Sequence, residues 1–197
     1  MLVIGLTGGI GTGKTEVTRV LRELGAVVIE SDKVAHHSYE PRTEAHKAIV
    51  SRFGEQVMGD SGDIDRSVLG EIVFSDPVGL KDLEALVLPA THKLIETTLK
   101  DEEKHGTKVV VIEVAKLYEN GWDHLSDTVW TIEAPEEQIV KRVEQRSGLS
   151  ESDIKARIAA QMTRDERIDR ADTVIENNTT LEDLRNQIVK LWESISQ

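Results

Sequence analysis

Apolar residues follow two rhythms along this 197-residue chain, and the alternation between them predicts its elements. Short runs of β-branched and apolar residues mark five strands, at 2–6, 26–30, 108–114, 128–133 and 173–176. All but the half-polar last one read as the buried strands of a parallel sheet, which is covered on both faces. Between them apolar residues recur three and four positions apart, the spacing of one helix face. Val17, Val20, Leu21 and Leu24 make such a face, and Gly25 is placed to end that helix. Leu181, Leu184, Ile188, Leu191 and Ile195 make another, a closing amphipathic helix whose stripe packs on the core. Helices alternating with strands predict an α/β fold, a doubly wound parallel five-stranded sheet.

The strands are unevenly spaced. The stretch from the second to the third is too long for one crossover and holds helical apolar spacings, Ala45-Ile49-Phe53 and Val68-Leu69-Ile72-Val73. It reads as a helical lobe for a second substrate, with an internal turn at Gly59 to Gly62 and a helix starting at Asp76-Pro77. A second insertion covers 136–170. The expected organisation is a single domain over 1–197: a core of 1–32, 108–135 and 171–197, a helical lobe over about 33–107, and a lid over about 136–170.

Chemistry enters with Gly8-Gly-Ile-Gly-Thr-Gly-Lys14-Thr15, a complete G-x-x-x-x-G-K-[ST] phosphate-binding loop. It follows a strand and opens a helix, the context the motif requires. Its main-chain N–H groups converge on an anion, and the helix N-terminus adds partial positive charge. Lys14 then extends to the β- and γ-phosphates, and the Thr15 hydroxyl sits on Mg²⁺. The fold expectation sharpens to the P-loop NTPase type.

Charge narrows the partners. Twenty-four basic and 36 acidic residues give a net charge of −12, which argues against nonspecific binding to nucleic acid or anionic membrane. Cysteine is absent, so disulfide and thiolate chemistry are excluded. No run approaches the roughly 20 apolar residues of a membrane span. With no charged leader, a cytoplasmic protein is the expectation.

A phosphate loop does not say what receives the phosphoryl group. Asp32 lies just past the second strand, which is expected near the loop, and could take a proton from an acceptor hydroxyl. Equally, Ser31 or Asp32 could cap a helix beginning at Lys33. Glu113, closing the third strand, could hold Mg²⁺ or cap a helix, and Glu119 follows six residues on. Lys141, Arg142, Arg146, Arg157, Arg164 and Arg167 could close over the transferring group, although most will be solvated or paired with nearby acids. His36 and His37 are adjacent and point about 100° apart on a helix, so the six histidines form no metal site.

Along nearly its whole length the sequence resembles the dephospho-coenzyme A kinases. The Thr7-Gly8-Gly9-Ile10-Gly11 opening is more specific than the generic loop. Val28-Ile29-Glu30-Ser31-Asp32 is similar to the family's Val-Ile-Asp-Ala-Asp, whose second Asp is catalytic. Asp65-Arg66-Ser67-Val68-Leu69 resembles a motif whose Arg holds the coenzyme portion, and Leu117-Tyr118-Glu119-Asn120-Gly121 resembles Leu-Phe-Glu-Asn-Gly. The Arg146–Ser150, Arg157–Met162 and Ala171–Asn177 segments resemble the tail that supplies the lid and part of the nucleotide-base pocket.

The resemblance implies ATP-dependent phosphorylation of the ribose 3′-hydroxyl of dephospho-CoA, giving CoA and ADP. It implies a catalytic set of Asp32, Lys14 and Arg142, with ATP held by Gly8, Gly9, Gly11, Thr12, Gly13, Lys14, Thr15, Glu16 and Asn177. Arg66, His36, Glu119, Arg146 and Gln161 fall to the substrate, and Mg²⁺ to Thr15. The expected partner is small-molecule dephospho-CoA, to a monomer or weak homo-oligomer. The chain departs from the pattern at His36, where the family has Arg, at Leu88-Pro89 for His-Pro, at Ala115-Lys116-Leu117 for Pro-Leu-Leu, and at Ser147 for Asp. Those departures keep two further readings beside the first: a kinase for another nucleoside or small hydroxyl compound, and a nucleotide-binding regulatory paralogue with weak transfer activity.

Overall fold

The apolar runs form β1 (Leu2–Thr7), β2 (Val27–Glu30), β3 (Val109–Glu113), β4 (Thr128–Glu133) and β5 (Thr173–Glu176), one sheet in the order β2-β3-β1-β4-β5. A computed structural model describes residues 1–195. The β1–β3, β1–β4 and β4–β5 pairs are parallel, with Leu6 opposite Glu113 and Thr131 opposite Thr7. Parallel strands need crossovers, and helices supply them. They are α1 (Lys14–Glu23), α2 (Ser31–Ser38), α3 (Glu44–Phe53), α4 (Arg66–Ser75), α5 (Pro77–Lys104), α6 (Glu136–Ser147), α7 (Glu151–Ala159), α8 (Arg164–Arg170) and α9 (Leu181–Ile195). Among the described residues no helix is long and apolar enough to cross a membrane.

The chain divides into two compact units, Met1–Ile29 with the chain from Glu102 onward, and Glu30–Asp101. In the sheet unit, Val17, Val20 and Leu21 of α1 and Leu184 and Ile188 of α9 pack with Ile4, Leu6, Val111, Trp130 and Ile132 of the central strands. Those are the apolar stripes expected of the two helices. Ile139 and Val143 of α6 meet Ile154 of α7 in a smaller cluster.

The helical unit has its own core of Ile49, Phe53, Val57, Ile64, Leu69, Val73 and Val87. Its helices begin where the sequence offers caps. Thr43 accepts the His46 N–H at 3.1 Å, and Asp65 accepts the N–H groups of Ser67 and Val68 at 2.9 and 3.2 Å. Pro77 opens α5, where its missing N–H costs nothing. The Gly59–Gly62 turn forms, with Gly59 donating to the Asp63 carbonyl at 2.8 Å.

Two expectations fail. First, α2 starts at Ser31 and not at Lys33, because β2 runs into it without a loop; Glu30 is the residue before the helix, and its side chain makes no capping bond. Neither Ser31 nor Asp32 is therefore the cap. Second, β3 lies between β2 and β1, so the second strand is one place removed from the strand that feeds the phosphate loop.

Candidate active site

The phosphate loop joins β1 to α1. Gly13, the residue before the helix, has φ +113°, a backbone region that favours glycine. A Cβ there would also lie 2.4 Å from Asn177 Nδ2. Inside the loop the Thr12 hydroxyl donates to the Gly9 carbonyl at 2.9 Å. Lys14 Nζ donates to the carbonyls of Gly8 and Gly9 at 2.8 and 3.2 Å, which keeps the ammonium folded over the loop. Thr15 is exposed in the first turn of α1. Glu16 is turned away: its carboxylate takes Arg19 Nε at 3.0 Å, which lowers its pKa through that hydrogen bond above all, and its N–H goes to the Gly13 carbonyl.

Asn177, just past β5, is buried and donates Nδ2 to the Thr12 carbonyl at 2.7 Å. Arg142 of α6 places Nη2 3.1 Å from the Asn177 carbonyl, 3.4 Å from its Oδ1 and 2.9 Å from Gln138 Oε1. The Arg142 donor and the Thr12 acceptor hold Asn177 with its oxygen toward Arg142 and its nitrogen toward the loop. Arg142 Nη1 is buried with no hydrogen-bond partner, an exception among buried polar atoms.

Residues between α7 and α8 also reach the loop. Gln161 Oε1 accepts the Ile10 N–H at 2.9 Å, and Glu119 Oε1 accepts the Met162 N–H at 3.1 Å. Beneath them Arg167 and Glu133 form a buried ion pair, Nε to Oε1 at 2.7 Å and Nη2 to Oε2 at 2.8 Å. A cavity of about 280 Å³ beside Gly9 and Ile10 is lined by Ala134, Ile139, Ile158 and Met162, with Arg167 in its wall. Arg146 stands exposed in the last turn of α6, with none of these contacts.

In the helical unit Asp32 is exposed in the first turn of α2. His36, one turn on, accepts a hydrogen bond at Nδ1 from Arg66 Nη1 at 2.9 Å. A guanidinium only donates, so this imidazole is neutral with its proton on Nε2. Burial first, then the Arg66 charge, lower the His36 pKa, against the pull of Asp32. His36 and Arg66 line a cavity of about 450 Å³ with Lys33, His37, Tyr39 and Asp63. Among the described residues no group of three or more His, Cys, Asp or Glu is placed to hold a metal.

The family model for dephospho-CoA kinase (CoaE) matches residues 2–183. The chain belongs to the dephospho-CoA kinase family. A dephospho-CoA kinase of Geobacter sulfurreducens is 43% identical over 192 residues, 98% of each chain. That of Symbiobacterium thermophilum is 42% identical over 98% of this chain and 81% of its own. Among solved structures, the dephospho-CoA kinase of Campylobacter jejuni is similar with a TM-score of 0.76 and 30% identity, covering 98% of this chain and 96% of its own. A shikimate kinase of Bacteroides thetaiotaomicron, 15% identical with a TM-score of 0.53 over 98% of each chain, shares the P-loop kinase fold.

Of the residues expected from the sequence, the structure brings Arg142 and Asn177 together, Gln161 to the phosphate loop, and His36 to Arg66. Glu16 and Arg146 are left outside these contacts. Sequence reasoning missed Glu133 altogether and left Arg167 unresolved among the basic residues of the insertion. A charge closing an otherwise apolar strand was the available signal for Glu133.

Proposed function

We propose that the chain transfers the γ-phosphoryl group of ATP to the ribose 3′-hydroxyl of dephospho-CoA, releasing CoA and ADP in the last step of coenzyme A biosynthesis. The phosphate loop carries the reading, with its main chain braced from two sides and Lys14 folded over it. Phosphoryl transfer needs alignment and charge neutralisation more than covalent chemistry, and this chain offers both.

In the proposed reaction the loop N–H groups hold the phosphates and Lys14 swings from its carbonyls to the β- and γ-phosphates. The exposed Thr15 hydroxyl is a hard oxygen ligand that fits Mg²⁺. When bound there, the ion would offset the negative charge of the phosphates. Arg142, whose Nη1 is buried and unpartnered, would turn from its contact with Asn177 to bring that donor to a phosphate oxygen. Asp32 takes the proton of the 3′-hydroxyl as that oxygen bonds to the γ-phosphorus and the bond to ADP breaks. Lys33 and Arg66, lining the cavity of the helical unit, suit the anionic part of the acceptor. We place the enzyme in the cytoplasm, as a monomer or weak homo-oligomer.

Coupled measurement of ADP release tests this. Dephospho-CoA should support turnover, while CoA, whose 3′-position is already phosphorylated, should not. Turnover with a nucleoside but not with dephospho-CoA would move the acceptor. ATP binding without turnover on any acceptor would overturn the kinase reading.

A further inference from the structure

Two side chains from outside the phosphate loop grip its main chain. Asn177 donates to the Thr12 carbonyl, and Gln161 accepts the Ile10 N–H at 2.9 Å. Gln161 belongs to the short junction between α7 and α8, which is itself tied down. The Met162 N–H goes to Glu119, and the Met162 carbonyl accepts Arg167 Nη1. Thr163 and Glu166 close a reciprocal capping box at the start of α8.

Arg167 is fixed in turn. Both oxygens of Glu133 hold it, and Oε1 also accepts the Thr131 hydroxyl at 2.7 Å. The Arg167 side chain is 9% exposed and that of Glu133 1%. A bidentate pair in such a site fixes the plane of the guanidinium, and the Met162 carbonyl takes a further donor from it. The loop rests on this brace: a Cβ built at Gly9 would lie 3.2 Å from Arg167 Nη2 and 3.5 Å from Gln161 Oε1.

We infer that Gln161 is a positioning residue of the phosphate loop, and not a contact to the acceptor: its side-chain oxygen orients the Ile10 peptide, and the Glu133–Arg167 pair braces the junction that presents it. The chemistry of the residue fits the task. An amide oxygen accepts an N–H as a carboxylate would, but adds no net negative charge where phosphates must bind. The inference rests on the reading of this loop as the ATP site and goes beyond it by assigning what sets the loop's shape.

Gln161→Met removes the acceptor at similar volume. Losing one neutral hydrogen bond should weaken ADP binding and raise the ATP KM by about three- to tenfold, with the dephospho-CoA KM unchanged. In the nucleotide-free protein, amide exchange at Ile10 should accelerate. Gln161→Glu keeps an acceptor but adds charge, so Ile10 should stay protected while ADP binds more weakly than to wild type. Unchanged Ile10 exchange in folded Gln161→Met would overturn the inference. So would a raised dephospho-CoA KM with ADP affinity intact, which is the signature of an acceptor contact. Wild-type protein that binds no ADP would strike the underlying reading of the loop, and Ile10 exchange would still decide whether Gln161 holds it.

Discussion

Asp32 is a carboxylate in the first turn of α2 that does not cap the helix. The helix begins one residue before it, and the residue ahead of the helix is Glu30, so the capping role that competed with catalysis is not filled by Asp32. Asp32→Asn keeps the shape and removes the proton acceptor. Turnover with dephospho-CoA should fall by roughly 10²- to 10⁴-fold with ADP affinity nearly unchanged. Wild-type turnover in that variant would reduce Asp32 to a surface residue. Tyr118 presents the opposite case, a group with no evident task. Its hydroxyl is buried without a hydrogen-bond partner, and burial above all pushes its pKa to about 12, against the charge of Arg170, whose guanidinium lies 4.0 Å from the ring centroid. The phenol therefore stays neutral, and its desolvation goes uncompensated. Tyr118→Phe gives the family's residue, keeps the ring under Arg170, and should stabilise the fold by about 1 kcal/mol. Urea unfolding reads this directly, and a loss of similar size would mean that the hydroxyl is satisfied.

Elements built on local rules were legible in the sequence. The five strands, the stripe of α1 and the stripe of α9 all appear at the expected positions, because apolar spacing is a property of consecutive residues. The phosphate loop was legible for the same reason: its chemistry needs eight contiguous residues. What escaped was long-range. Gln161 and Ile10 are 151 positions apart, Arg167 and Glu133 are 34 apart, and no periodicity links such pairs. The start of α2 was misplaced because a strand that passes straight into a helix leaves no loop residues to mark the boundary. The same long-range pair governs how firmly α8 is held. Arg167→Met strands the Glu133 carboxylate in the interior with only the Thr131 hydroxyl for company. That should cost about 3–5 kcal/mol. Adding Glu133→Gln removes the buried charge and should recover part of the loss. If the double variant is no more stable than the single one, the pair acts as two independent residues and the brace is not electrostatic.

Each of the two compact units has a main core of its own. Ile4, Leu6, Val111 and Ile132 belong to the sheet unit, while Ile49, Phe53, Leu69 and Val87 belong to the helical unit. In the long interval between the second and third strands, Ile49, Phe53, Leu69 and Val73 lay on the apolar spacings read from the sequence and belong to the helical core, while α5, from Pro77 to Lys104 with few buried positions, gave no such signal for Val87. The residues proposed for the nucleotide lie in the first unit, and Asp32, Lys33 and Arg66, proposed for the acceptor, lie in the second. Damage confined to one core should therefore divide the two binding functions. Ile49 is fully buried in the helical core, and Ile49→Ala deletes its branched side chain there. Such a cavity costs about 2–5 kcal/mol, depending on how far the site collapses. The sheet unit, with the phosphate loop, Asn177 and the Glu133–Arg167 pair, contains none of the residues around Ile49. Ile49→Ala should accordingly lower the melting temperature and raise the dephospho-CoA KM, while the ADP dissociation constant, measured well below the transition, stays within about twofold, as sites with no shared partners allow. An ADP affinity that fell in step with the acceptor's would show that the two cores stabilise one cooperative unit.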